Sequence, residues 1–443
     1  MMYFRLTKRL AMQSIFGYKM VGALLAGYLL TCPFAASTQD TTFVLRDVTI
    51  YTGTGESYLR GTIAWRGKTI VYVGPAERAP QWTEPVQFIS YGKDARVYPA
   101  LIAPNTYLGL REYEQVRATN DYRELGEINP HIRSLIAYNA ESEVIPTVRS
   151  NGVLYAQVVP AGGLVSGMSS VFALTGHNWE EAVVAADNGL HVRWPSQVSR
   201  PLWWSADPTP KPNKKYDQQR RKIVDFFQQA DAWCQLPKSQ RTQNTPYLAF
   251  CNFRTRGGKL FIHANRAPEI KDALQSLAFL NMPMVIVGGK DAWMIADLLK
   301  EHNVSVVYLH THSLPEMPED PLRLPFHTPK ILDSLEIDFC LGLQGFWEQR
   351  NLPFIAGQAI ADGLDYDKAL RAVTSNTARI LGIDHFTGSL KKDLSADFII
   401  TSGDLFDMKN STVIGAYLRG KPVSLDDKHK QLWRTYLKKY GLN

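Results

Sequence analysis

Val97-Tyr-Pro-Ala-Leu-Ile-Ala-Pro-Asn105-Thr-Tyr107-Leu-Gly-Leu110 is the stretch that decides how this chain is read. A short apolar run, Ala100 to Ala103, stops at Pro104, as a buried strand does where it reaches the end of a sheet. Residues 105 and 107 are two apart, so on an extended chain their side chains project from one side. Such spacing lets a pair of side chains hold a metal ion from a strand end. The pair here is Asn105 and Tyr107, a neutral carboxamide and a phenol whose ordinary pKa is near 10, both poor ligands for zinc.

Outward from this strand, strand-like and helix-like segments alternate. Candidate strands are 100–103, 153–159, 170–174, 259–263, 284–287, 304–309 and 337–341, with an eighth inferred. Candidate helices are 131–149, 214–233, 268–280, 291–302 and 365–381. The fourth of these places Ala292, Ile295, Ala296 and Leu299 at i, i+3, i+4 and i+7, the apolar stripe of a helix lying on a sheet. The fifth stops at Gly382, a favoured residue just past a helix end. This alternation predicts parallel strands joined by helical crossovers, in a barrel or a doubly wound sheet.

Both ends of the chain have a different texture. Runs 43–51, 61–66, 68–73 and 86–90 are short and strand-like, with Arg66-Gly67-Lys68 as a tight turn, and 396–401, 411–418 and 419–423 repeat the pattern. Edge strands need pairing partners, so the two ends are expected to build one small β-domain together.

At 443 residues, with 45% hydrophobic and 21% charged residues, the chain has ordinary globular composition. It is long enough for a large barrel plus a smaller domain. Residues 1–37 combine Arg5, Lys8, Arg9 and Lys19 with an apolar run from Met20 to Leu30 and the small residues Ala35-Ala36-Ser37, the pattern of a secretory signal peptide. A lipoprotein-type cleavage before Cys32 and an uncleaved anchor are the other readings. With the leader removed, no membrane span is expected and the site of action is periplasmic or secreted. Loss of its four cations lowers the formal charge from +7 to about +3, so the pI of 9.0 gives no reason to expect a nucleic-acid partner. In an oxidising compartment Cys234 and Cys251 can form a disulfide or remain buried thiols. Five prolines interleaved with Trp194, Trp203 and Trp204 make 194–216 a long irregular excursion, either a lid or a packing loop.

The stretch around Asn105 and Tyr107, together with Ile262-His263-Ala-Asn-Arg-Ala267, Ile286-Val-Gly-Gly-Lys-Asp-Ala-Trp293, Asn351-Leu-Pro-Phe-Ile-Ala-Gly357 and Gly388-Ser-Leu390, resembles the amidohydrolase superfamily in its imidazolonepropionase-like branch. The resemblance runs over most of the chain after the leader. It implies an α/β fold: a TIM-like (β/α)8 barrel over 99–387, a composite β-sandwich from 38–98 and 388–425, and a C-terminal helix or tail at 426–443. It also implies a metal centre at the C-terminal mouth of the barrel.

In that pattern the first strand supplies His-x-His, replaced here by Asn105 and Tyr107. His263 matches the fifth-strand metal histidine, the one ligand position that carries over, though it can equally be a hydrogen-bonded mouth histidine. Gln344 stands near the place of the eighth-strand Asp; it can hydrogen bond but cannot serve as a base. No bridging Lys or Glu is found near the fourth strand. His310 and His312 form an actual His-x-His after the seventh strand and could join His263, with His327, in a rebuilt site. The first expectation is therefore a protein without a cofactor, binding a small-molecule ligand or acting within a homo-oligomer or beside a homologous active amidohydrolase. The alternative is a hydrolase of C–N bonds using one divalent metal, zinc, at His263, His310 and His312.

Overall fold

A computed structural model describes residues 41–442 apart from 84, 93, 200–208 and 316–319. The expected leader, Trp203 and Trp204 lie outside the described residues. The sequence's two β-rich ends meet in one eight-stranded sheet, with Arg96–Pro99 between Thr42–Tyr51 on one side and Phe398–Thr401 on the other. Trp65, buried against Phe398 and Tyr417, donates its indole N–H to the Gly420 carbonyl at 3.0 Å. Pairing each end with the other removes the edges that either would expose alone.

A second eight-stranded sheet forms the barrel. Its strands, in chain order, are Leu101–Thr106, Val153–Val158, Val165–Ala173, Val183–Arg193, Lys259–Ala264, Met284–Gly288, Ser305–Tyr308 and Phe339–Leu341. The eighth and first strands meet at the mouth, where Gly345 O accepts from Thr106 Oγ1 at 2.7 Å and from Tyr107 N at 3.3 Å. The inferred strand is Val183–Arg193. The third strand runs antiparallel to both neighbours, against the expectation of a wholly parallel barrel. Its connections, 159–164 and 174–182, are shorter than the dozen or so residues a parallel crossover needs.

Three expected helices are broken, one of them 291–302, which is a 3-10 turn at Ala292–Ile295 followed by a helix at Ala296–Glu301, with Ile295 at their junction at φ −126°. The 131–149 segment holds only Ser134–Ala137 and Val144–Arg149, and 365–381 divides into Tyr366–Ala372 and Ser375–Leu381. At the break within 365–381 Thr374 leaves helical geometry (φ −135°) and its hydroxyl donates to Leu370 O at 2.6 Å. Gly382 ends the last of these at φ +78°, as its position in the sequence predicts. Cys234 and Cys251 form a disulfide between helices Tyr216–Gln235 and Thr245–Thr255, while Cys340 is a buried free thiol. The proline-rich excursion is not wholly irregular: Val198–Ser199 pairs with Lys211–Pro212. Pro212 sits at a strand end, where its missing N–H costs little.

Candidate functional site at the barrel mouth

The site grows from three strand ends. On the fourth strand, Leu190-His-Val-Arg193 alternates faces: Leu190 and Val192 pack in the hydrophobic core, while His191 and Arg193 carry polar groups to the other side. Gly189 lets the strand approach its neighbour, since a Cβ there would stand 2.4 Å from the Phe261 ring. In the parallel register His191 pairs with Phe261 and Arg193 with His263, which brings two histidines and an arginine together.

His191 Nδ1 and His263 Nε2 lie 2.9 Å apart and share a hydrogen bond, and the His191 ring stacks on Phe261. Burial holds both imidazoles well below the usual histidine range, and the Arg193 charge lowers them further. The pair is neutral at neutral pH, one ring donating and the other accepting. His191 Nε2 is buried with no hydrogen-bond partner among the described residues.

Arg193 donates from Nε to Ser166 Oγ at 3.0 Å and from Nη2 to Tyr107 OH at 3.3 Å. Among the described residues it has no carboxylate partner. A side cleft of about 520 Å³ offers a contrast: there Arg133 Nε donates to the buried Asp187 at 2.8 and 3.0 Å, and Arg256 lies 3.5 Å from the same carboxylate. Arg193 was not singled out in the sequence, nor was His191.

The expectation that Asn105 and Tyr107 share one face of an extended strand is corrected. Asn105 adopts φ +54°, a left-handed conformation that Asn tolerates, so the period-two rule fails at that residue. Its backbone N–H donates to Gln157 Oε1 at 3.2 Å, and its own Oδ1 is buried without a partner among the described residues. A polar thread continues inward from Gln157 Nε2 to Ser169 Oγ at 3.1 Å and on to Asn188 Oδ1 at 2.9 Å. Tyr107 instead faces Arg193 and packs on the Tyr122 ring.

The expected convergence of His310, His312 and His327 on His263 is also corrected. The seventh strand ends at Tyr308, so both members of the His-x-His lie in a turn where strand alternation no longer applies. His310 is buried, with Nε2 2.7 Å from Asn265 Oδ1, whereas His312 is exposed. His327 sits on helix Leu324–Ser334 with Nδ1 2.9 Å from the Asp362 carbonyl. Gln344 is exposed on the loop after the eighth strand, next to Gly345, whose carbonyl closes the barrel. Asp338, at the strand's start, pairs with Arg379 at the opposite end of the barrel. Among the described residues, no group of three or more His, Cys, Asp or Glu side chains could hold a metal ion.

Residues 273–423 match the amidohydrolase family. The chain superposes on an amidohydrolase from Thermotoga maritima MSB8 with a TM-score of 0.72 at 20% identity, over 86% of this chain and 99% of that one. It also superposes on a Xaa-Pro dipeptidase with bound methionine in its active site, with a TM-score of 0.53 at 14% identity, over 86% of this chain and 100% of that one. In sequence, a segment is 32% identical over 111 residues to amidohydrolase tasK of Hapsidospora irregularis, covering 23% of this chain and 11% of that protein. Another is 28% identical over 117 residues to a 5-methylthioadenosine/S-adenosylhomocysteine deaminase of Saccharophagus degradans, covering 23% of this chain and 26% of that enzyme. The chain thus matches only about a tenth and a quarter of these two curated relatives. It is a TIM-like barrel with an accessory β-sheet, like the amidohydrolase from Thermotoga maritima, and residues 273–423 are similar to the amidohydrolase family.

Proposed function

We propose that this protein is an amidohydrolase-superfamily barrel in which a fixed arginine occupies the electrostatic role of a metal, and that it binds a small anionic ligand rather than hydrolysing one. The observation that carries this reading is Arg193: a half-buried guanidinium held by Tyr107 and Ser166, beside two neutral histidines, with no carboxylate partner among the described residues. The donor set does not fit a divalent ion. A metal there would face a permanent cation, His263 Nε2 is already shared with His191, and the two first-strand positions offer only a carboxamide and a phenol. A guanidinium suits a carboxylate, which it can grip with two parallel N–H bonds.

Such a barrel acts alone, as a homo-oligomer, or as partner to a homologous active subunit, in a periplasmic or secreted setting. Metal analysis of protein purified in metal-replete, chelator-free buffer tests the reading, together with calorimetric titration of N-acetylglycine and succinate. We expect no stoichiometric metal, and carboxylate binding that Arg193→Gln abolishes. Stoichiometric zinc, iron or manganese that disappears in His263→Ala overturns it.

A second reading, a C–N hydrolase with a reduced metal site at His263, His310 and His312, draws on the His191–His263 pair and on His310 being held against Asn265, two residues beyond His263. Turnover of dipeptide or lactam substrates, lost on chelation, would establish it.

A further inference from the structure

We propose that the C-terminal helix, Lys428–Tyr440, is a peripheral anchor that lays its apolar stripe on an anionic lipid surface. The helix is well formed. The Asp427 side chain caps it by accepting from Lys430 N at 3.0 Å, and Gly441 closes it at φ +65°. It nevertheless buries no residue. Thirteen residues make a marginal helix in water unless one face is packed, so an apolar face left open calls for a partner.

That face is Leu432, Trp433, Tyr436, Leu437 and Tyr440, at i, i+1, i+4, i+5 and i+8, one stripe of a 3.6-residue helix. Trp433 is 63% exposed, Tyr436 51% and Tyr440 64%, with Leu432 at 45% and Leu442 beyond the helix at 64%. The charges are of one sign: Lys428, Lys430, Arg434, Lys438 and Lys439 stand in the segment 428–442, which has no acidic residue. Only the first part is tied to the body of the protein. Lys430 Nζ donates to Leu425 O at 2.7 Å, Lys428 lies 4.0 Å from Glu143, and His429 meets the edge of Trp347. Arg434 is bound by Asp426. Farther along, Lys439 lies over the Tyr436 and Tyr440 rings, and neither it nor Lys438 has a carboxylate partner among the described residues.

A lipid surface suits this pattern better than a protein groove for two physical reasons. Trp and Tyr place an apolar ring and a polar tip at the level of headgroups, and lysines beside them extend their stems to reach lipid phosphates. A uniformly basic helix with no acid on its length has its complement in a continuous anionic plane. The helix lies along such a surface; no described helix is long and apolar enough to cross a membrane.

Vesicle co-sedimentation tests this with the chain beginning at Thr38, which retains both sheets and every described helix. Phosphatidylcholine vesicles with 30% phosphatidylglycerol are compared with phosphatidylcholine alone. We expect binding to the anionic vesicles, weakened by salt. Each of Lys438→Gln and Lys439→Gln should reduce it about fivefold. Trp433→Ser with Tyr436→Ser should abolish it while leaving the melting temperature unchanged, because nothing buried is removed. Equal binding by wild type and the Trp433/Tyr436 variant overturns the proposal, as does failure to bind anionic vesicles. A concentration-dependent dimer that the same variant dissolves, without vesicle binding, would assign the stripe to a second copy of this chain and overturn it too.

Discussion

The two ends of the barrel each hold an arginine, and the two are treated differently. At the N-terminal end Arg379 makes a two-pronged contact with Asp338, both N···O distances being 2.5 Å, and Asp338 also accepts from Ser305 Oγ at 2.6 Å. Arg193, at the mouth, rests on two hydroxyls and keeps its charge uncompensated by any described carboxylate. Pairing is what a fold uses to settle a charge, and leaving one unpaired among neutral groups costs stability unless something outside the chain completes it. Under the proposed function, one end of the barrel is structural and the other binds the ligand.

The sharpest way to break the comparison is at the structural end. Asp397 is 2% exposed and accepts from Tyr155 OH at 2.8 Å, Arg419 N at 2.6 Å and Ser395 Oγ at 2.9 Å, joining the barrel to the composite sheet. Asp397→Ala should lower unfolding stability by about 3–4 kcal/mol, since three donors lose their acceptor at once; a loss under about 1 kcal/mol in urea titration would contradict that role. At the mouth, Arg193→Gln should weaken carboxylate binding by about 10–100-fold, as loss of a charge-assisted bidentate contact does. The same change should move unfolding stability by less than about 1 kcal/mol in either direction.

The buried histidines give a pH signature. His191 and His263 both titrate below their unfolded value of about 6.5. The unfolded chain therefore binds protons that the folded chain does not, and stability falls as pH drops through about 6.5 towards 5. Each contributes a slope of up to about 1.4 kcal/mol per pH unit. Chemical denaturation from pH 7.5 to 5 should show this slope, and His263→Gln should reduce it. The smallest effect is expected at Asp338→Asn, about 1 kcal/mol, because Arg379 and Asp338 are 50% and 28% exposed and solvent screens them.

The sequence shows the barrel walls better than the mouth. Apolar runs such as Leu260-Phe-Ile262 and Val304 to Leu309 announce themselves, and the composite sheet follows from the need to pair two β-rich ends. The fourth strand is hidden because Ala185-Ala-Asp-Asn-Gly189 interrupts it, with Asp187 in a left-handed conformation (φ +51°). His191 and Arg193 were missed with it, although Leu190-His-Val-Arg193 carries a legible two-residue alternation. At Asn105 the reading failed for a different reason: one positive φ cancels the alternation on which a shared face depends. For His310 and His312 the strand stops before either residue is reached. A motif's spacing predicts geometry only while the element beneath it continues.

The composite sheet has a consequence in time. Arg96–Pro99 cannot gain its partner Phe398–Thr401 until the barrel sequence between them has been made, and Trp65 waits for Gly420. The module begun first is therefore completed last, closing over a barrel already enclosed between its two halves, so the slow, long-range step in folding belongs to the smaller domain.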